Sequence, residues 1–344
     1  MPDLHTIGWN ADLDAAFAGH AAAGLVPGRV ALEHNHVYRV LTDRGESLAE
    51  AAGRIRHQAT ARHEMPAVGD WVGMRPIQGS RGVIQVVLPR RSRFSRKVAG
   101  RETEEQVVAA NIDTVFIVAG FDKLSGRSLE RYLVLARQNA VQPVIVLNKS
   151  DVVDDLSAAV ADVALLTGTT PVHAVCARDG GGFEALERYL AVGRTIALLG
   201  PSGAGKSSII NRFIGRDVLA TAAVRARDAR GRHTSVHRQL LVLDRGGVVI
   251  DTPGMRELQL WESAVEVDAS FDDIALLGET CRFRDCRHDR EPGCGVKTAV
   301  ADGRLAAARY ASYLKLALER EALDRKLTER AQASEGKRRG RFPQ

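Results

Sequence analysis

No stretch of this 344-residue sequence approaches 18 uninterrupted apolar residues, and its opening, Met1-Pro2-Asp3-Leu4-His5, lacks a basic segment ahead of an apolar one. A spanning helix needs roughly 20 apolar residues and a secretory leader needs both features, so neither membrane insertion nor export is expected; a cytoplasmic location is. Cysteine is scarce: four in all, three of them between 281 and 294. That is too few and too clustered for an extracellular disulfide framework, and suits a metal site in a reducing compartment. The net charge is a modest +6, which permits an anionic partner but also serves solubility alone. With 45% hydrophobic and 26% charged residues, the chain reads as soluble and globular, long enough for two or three domains that each bury a core.

Between Gly28 and about Leu88 lie short runs with strand chemistry: Val30-Ala31-Leu32, Val37-Tyr38-Arg39-Val40-Leu41, Asp70-Trp71-Val72-Gly73-Met74 and Val83 to Leu88. Turn residues separate them, which predicts a small all-β barrel; the OB type commonly binds nucleic acid, and an SH3-like barrel gives a similar pattern. Residues 90 to 101 then carry Arg90, Arg91, Arg93, Arg96, Lys97 and Arg101, with no acid and one aromatic, Phe94. Such a segment is either a solvated linker or a strip that touches phosphates.

From about Asn111 the period changes. A strand-like run, Thr114 to Val118, precedes Leu129, Tyr132, Leu133 and Ala136 at helical spacing, and then Val144 to Leu147. The alternation continues through Val172 to Val175, a helix-like Phe183 to Leu190, Thr195 to Leu199, a helix after Lys206, Leu240 to Leu243 and Val248 to Ile250. It predicts an α/β layered domain whose ligand lies at the carboxyl ends of its strands. Beyond Trp261 come a Cys/His cluster, a helical stretch from about Arg304 to Ala331 and a basic tail, Gly336 to Arg341, suited to salt-sensitive attraction to phosphates.

Gly200-Pro201-Ser202-Gly203-Ala204-Gly205-Lys206-Ser207 fits G-x-x-x-x-G-K-[ST], with Ser208 following, after a strand and before a helix. Glycines let backbone N–H groups close on phosphates, Lys206 reaches the β and γ oxygens, and Ser207 offers a hydroxyl to Mg²⁺. Upstream, Asn148-Lys149-Ser150-Asp151 ends an apolar strand. A carboxylate there can accept from guanine N1–H and its exocyclic amine together, a pair of donors that adenine lacks. Cys176-Ala177 ends the next strand, where a backbone N–H could meet guanine O6, with Cys176 a small packed residue. Asp251-Thr252-Pro253-Gly254 ends another strand and offers a carboxylate near Mg²⁺ and a glycine N–H near the γ-phosphate. Between loop and turn, Gly231 to His237 suits switch I, with Thr234 the first choice for the hydroxyl that senses Mg²⁺ and Ser235 its rival. The base-reading tetrad precedes the phosphate loop, the reverse of the usual order, so the domain is expected to be circularly permuted.

Cys281-x4-Cys286-x-His288-x5-Cys294 supplies three thiols and an imidazole. A Cys₃His set closes a tetrahedron around one structural Zn²⁺ and leaves no position for a reacting water; iron is the lesser alternative. Arg282, Arg284, Arg287, Arg290 and Lys297 surround it, so metal would fix a basic knuckle.

Together with Val68-Gly69-Asp70-Trp71-Val72 and Asp251 to Glu257, these motifs resemble the circularly permuted bacterial family called ribosome small-subunit-dependent GTPase A (RsgA), over nearly the whole chain. The resemblance implies an OB barrel, a zinc-binding C-terminal part, and a GTP hydrolase that acts late in maturation of the small ribosomal subunit and is stimulated by it. The family's switch I usually has three successive threonines after the histidine, where this chain has Thr234-Ser235-Val236. Met255 stands where many GTPases place a water-orienting glutamine, so unassisted hydrolysis should be slow. His233 is a candidate for that role and His237 a weaker one, the alternative being solvent-facing loop histidines. The expected organisation is multidomain: an N-terminal extension with an OB-type β-barrel over 1–105, a central α/β circularly permuted P-loop GTPase domain over 106–265, and a C-terminal helical zinc-binding domain with a basic tail over 266–344. GTP or GDP, Mg²⁺ and one Zn²⁺ are the expected cofactors. The expected partner is the small ribosomal subunit with its rRNA, met by a monomer. A nucleotide-gated RNA-binding module with incidental turnover is the alternative function. A P-loop ATPase or small-molecule kinase would leave Asn148 and Asp151 without a purpose.

Overall fold

The computed structural model describes residues 3–59, 62–77, 79–98, 101–216, 238–244, 246–251 and 271–307, and within the last helix 309–311, 313–315, 317–318 and 325. Five short strands close a barrel: β1 (Val26–His34), β2 (Val37–Thr42), β3 (Gly45–Ala51), β4 (Trp71–Ile77) and β5 (Arg81–Val87). They run in the order β1-β2-β3-β5-β4, and β4 returns to pair with β1. Every pairing is antiparallel except β3 with β5. Alternation decides which face is inside: Tyr38 and Val40 from β2 meet Val30, Ala49, Ala51, Val72, Met74 and Ile84 in one buried cluster. A short helix, α2 (Gly53–Gln58), follows β3. Ahead of the barrel, α1 (Ala11–Ala22) starts where the Asn10 side chain accepts from the Leu13 N–H, and it buries Leu13 and Phe17. Trp9 bridges to the barrel, its ring 5.0 Å from Trp71 and 5.7 Å from Phe17, both edge-on.

The basic run after the barrel is not a linker but part of a β-hairpin. Its residues Arg93–Val98 form β6, paired antiparallel with β7 (Arg101–Ala110). Phe94 is fully buried. Arg90, before the hairpin, grips the buried Asp70 carboxylate through two 2.7 Å contacts and donates to the carbonyls of His63 and Met65. Arg91 pairs with Asp113 at 3.5 Å. The expected division at residue 105 falls inside β7.

In chain order the next elements are β8 (Thr114–Gly120), α3 (Gly126–Gln138), β9 (Gln142–Asn148), α4 (Leu156–Thr167), β10 (Val172–Val175), α5 (Glu184–Glu187), β11 (Thr195–Leu199), α6 (Lys206–Ile214), β12 (Gln239–Val242) and β13 (Val248–Asp251), and all but α3 build the α/β layer of the first unit. The strand order is β10-β9-β8-β11-β13-β12, parallel through β13 and antiparallel at β12. The chain moves outward from β8 to β9 and β10, then returns to place β11 on the other side of β8. That reversal opens a crevice at the carboxyl ends of β8 and β11, where ligands of such sheets bind. β12 also meets β1 at Leu32↔Gln239, so the sheet runs on into the barrel.

Two compact units result: 1–125 with 139–259, and 126–138 with 260–344. The second therefore contains α3, together with α7 (Asp272–Gly278), α8 (Gly295–Ala301) and the last helix, whose described residues are helical from Ala307 onward. In it Arg309 contacts Asp273 at 2.6 and 2.7 Å and Glu130 of α3 at 3.4 Å, with its guanidinium 4.8 Å over the Phe271 ring. Burial pushes the Asp273 carboxyl up, but the Arg309 hydrogen bond and charge outweigh it and hold the group below its ordinary value.

Arg29 of β1 is the unusual residue of the first unit. It is 1% exposed, and its guanidinium donates to the carbonyls of Ile7, Gly69 and Asn111 and to the Thr195 hydroxyl. It also lies 5.1 Å over the Trp71 ring. Burial lowers its pKa to about 10, so the group stays charged at neutral pH, balanced by Asp113 and Asp70. Replacing it by leucine would strand several buried acceptors, each costing about 1–3 kcal/mol. Arg29→Leu is expected to destabilise the first unit by about 3 kcal/mol or more in urea unfolding, whereas Arg54→Ala, at an exposed position, should stay within about 0.5 kcal/mol of the parent.

Candidate functional site

Four of the predicted segments leave the same edge of the sheet: Asn148 to Asp151 after β9, Cys176-Ala177 after β10, Gly200 to Ser207 after β11, and Asp251 at the end of β13. The parallel strands bring them together despite their permuted order. Asn148 joins three of the four. Its Nδ2 donates to the Ala204 carbonyl at 2.9 Å, and its Oδ1 accepts from the Ala177 N–H at 3.0 Å. At 3% exposure, this amide is consumed in bracing the phosphate loop against the loop after β10.

Within the phosphate loop, Gly205 caps α6 with a φ of 96°, and a Cβ there would overlap the Asn148 amide. Both the left-handed backbone and the close approach therefore demand glycine. Ala204 is buried; Ser202 and Gly203 are exposed; Lys206, Ser207 and Ser208 are half-buried in the first turn of α6, where the positive end of the helix dipole favours an anion. The Lys206 ammonium donates to the Gly200 and Pro201 carbonyls, each at 2.8 Å, curled back over its own loop. Phosphate oxygens are stronger, charged acceptors and can take over such contacts.

Lys149 adopts φ 66°, ψ 43°, and a tight turn, Ser150 to Val152, follows it. This sets Asp151 beside Cys176, whose thiol donates to Oδ1 at 3.2 Å, and Arg178, 3.0 Å from Oδ2. Burial pushes the Cys176 thiol up, with the Asp151 carboxylate adding to the shift, so it remains a thiol and a donor. Both carboxylate oxygens thus already accept from donors at the place where guanine was expected to supply two. Thr234, His233, Ser235, His237, Gly254 and Met255 lie outside the described residues.

In the second unit, the ligand atoms of Cys281, Cys286, His288 and Cys294 all lie within 4.8 Å of one another. The Cys281 and Cys294 sulfurs are 3.8 Å apart, and the His288 Nδ1 is 3.4 and 3.5 Å from them. Tetrahedral bonds of about 2.3 Å to sulfur and about 2.0–2.1 Å to nitrogen require edges of roughly 3.8 and 3.5 Å. Cys281, Cys294 and His288 therefore have the spacing of a zinc site, and with Cys286 close by the cluster can hold one such ion through His288 Nδ1 and the thiolates. His288 has φ 62°, and its carbonyl accepts from the Tyr310 hydroxyl, which ties the knuckle to the last helix.

The description RsgA GTPase matches residues 87–261. Small ribosomal subunit biogenesis GTPase RsgA of Opitutus terrae is 46% identical, with 92% of this chain and 89% of that protein aligned. This chain belongs to the RsgA GTPase family. The protein of the same name from Xanthomonas axonopodis pv. citri is 41% identical over 99% of this chain and 95% of its own. Among solved structures of similar proteins, YjeQ from Thermotoga maritima has 31% identity and a TM-score of 0.63, covering 85% of this chain and 97% of that one. YloQ, described as a circularly permuted GTPase, is alike in fold, with a TM-score of 0.61 at 24% identity over 87% and 96% of the two chains. The permuted GTPase fold with its N-terminal barrel is thus shared, and membership of this RsgA family implies GTP, GDP and Mg²⁺.

Purified protein is expected to carry about one Zn²⁺ per chain by metal analysis. Cys294→Ser should lose most of that metal and render residues 280–301 sensitive to protease, a result that strong chelation of the parent should reproduce.

Proposed function

We propose that this GTPase binds the small ribosomal subunit late in its maturation and that GTP hydrolysis drives its release. The observation that carries this is the Asn148 side chain, hydrogen-bonded to the phosphate loop at Ala204 and to the loop after β10 at Ala177, which supports one nucleotide spanning from tetrad to loop. In this scheme Asp151 accepts from guanine N1–H and the exocyclic amine, displacing Cys176 and Arg178. Lys206 moves from the two carbonyls to the β and γ oxygens, and the amides of Gly200 to Ser208 close on the phosphates. Ser207 and Asp251 would hold Mg²⁺, an ion that neutralises charge gathering on the phosphates. Thr234, His233 and Gly254 are assigned to sensing the γ-phosphate and orienting water.

Three functional parts are proposed. The barrel is of the OB type: its strand order, its parallel β3–β5 pair and the helix after β3 support this. With the Cys₃His knuckle, holding zinc, it would face rRNA. Arg90 is engaged within the fold, which leaves the neighbouring exposed Arg91 the better placed of the two for such a surface. The names of the relatives in Opitutus and Xanthomonas support the assignment to small-subunit biogenesis.

GTP hydrolysis measured with and without purified small subunits, across a salt series, tests the proposal. Slow intrinsic turnover raised by orders of magnitude is expected, with stimulation fading as salt screens phosphate contacts. Turnover indifferent to subunits at every salt concentration would overturn it. Asp151→Asn should weaken GTP by at least about tenfold, the loss of a charge-assisted pair, and shift preference toward xanthosine triphosphate.

A further inference from the structure

Lys149 of the tetrad forms an ion pair at the base-proximal end of the crevice with Asp122, which belongs to none of the motifs. The Lys149 Nζ stands 2.7 Å from Asp122 Oδ2, and the two side chains are 33% and 35% exposed. Asp122 lies in the turn Phe121–Lys123, immediately after β8, while Lys149 immediately follows β9, the neighbouring parallel strand. Gly120, between them, makes the pair possible. A Cβ at position 120 would overlap the Asp122 carboxylate, and the Lys149 Cδ and Cε would each lie 3.5 Å from it, in ordinary contact. The lysine stem therefore runs over the end of β8 with its charged tip drawn toward Asp122.

Resting on the guanine assignment above, we propose that Asp122 is a positioning residue for nucleotide binding, acting through Lys149. Lys149 sits between Asn148 and Asp151, so its four methylenes border the place where a base would lie and can cover it as an apolar face. Its ammonium presents a hazard there. Asp151 is two residues away, and a loose cation would compete with guanine for that carboxylate. The left-handed backbone of Lys149 directs the side chain toward β8, and Asp122 holds the ammonium there. An Asp122 carboxylate thus keeps a second cation off the guanine acceptor, which already meets Arg178 and must release it when the base arrives, and holds the stem extended. The γ-phosphate lies at the other end of the nucleotide, so the effect is on binding and not on the chemical step.

Fluorescent GDP affinity and steady-state GTP kinetics test this in a double-mutant cycle. Asp122→Ala is expected to weaken GDP and raise KM for GTP by about fivefold with kcat retained, as befits a partly exposed pair. Asp122→Glu should recover most of the affinity, and the isosteric Asp122→Asn should not, because the charge is what acts. In a Lys149→Ala background, Asp122→Ala should cost nothing further. Losses that add in the double variant, or full affinity in Asp122→Asn, would overturn the proposal; melting curves of Asp122→Asn and the parent should coincide, so that a lost fold is not mistaken for lost binding. A parent protein unable to bind GDP would instead overturn the guanine assignment on which this rests.

Discussion

A single buried cation organises the first unit. Arg29 belongs to the barrel, yet its donors end on the N-terminal segment at Ile7, on the entry to β4 at Gly69, on the turn after β7 at Asn111 and on β11 at Thr195. A guanidinium is the side chain with enough donors in a fixed plane to do this, and lysine could not. Its neighbours share the work: Asp70 is gripped by Arg90, Trp71 lies beneath the guanidinium, and Asn111 donates to the Gly69 carbonyl. Moving any one of these parts would strand polar groups that no water reaches. The strand that leads directly into the phosphate loop, β11, is therefore fixed from behind by residues distant in sequence.

Permutation changes the order of the chain without changing which strand ends are neighbours. In a parallel layer every loop at the carboxyl edge faces the same crevice, so a tetrad upstream of the phosphate loop reaches it as readily as one downstream. What permutation does alter is where the chain goes next. The segment after β13 leads into the second unit, and the strand before it, β12, is adjacent to the barrel. On the proposed function, the parts that respond to the γ-phosphate are thereby linked in sequence to the parts that would touch RNA.

Much of this was legible in the residues. Strands buried on both faces, such as Thr114 to Val118 and Val144 to Leu147, announce themselves as unbroken apolar runs, and the phosphate loop and tetrad carry their own chemistry. Strand β3, Gly-Glu-Ser-Leu-Ala-Glu-Ala, has almost no strand propensity and exists because β2 and β5 pair with its backbone on either side. The hairpin from Arg93 to Ala110 was hidden for a related reason: its charges mask strands that bury Phe94 and, over Gln106 to Ala110, both faces of β7. Helix α4 escaped notice because alanine-rich sequence with scattered valine gives little period. Arg29 and Arg90 could not be distinguished from the other basic residues, since burial is a property of the assembled neighbours. That Cys281, Cys286, His288 and Cys294 would meet could be read in advance, because the four lie within a short span of chain.

The continuity between barrel and α/β layer has a bearing on solubility. A terminal strand exposes a row of N–H and C=O groups that invites another molecule to add on, and proteins suppress this by pairing, covering or shortening the edge. Here β12 would be such a border, but β1 abuts it at Leu32 and Gln239, and the barrel has no border of its own because β4 closes onto β1. At the opposite side the layer stops at β10, only four residues long. An α/β portion deprived of its barrel would thus uncover the β12 backbone around Gln239, where a foreign strand could add.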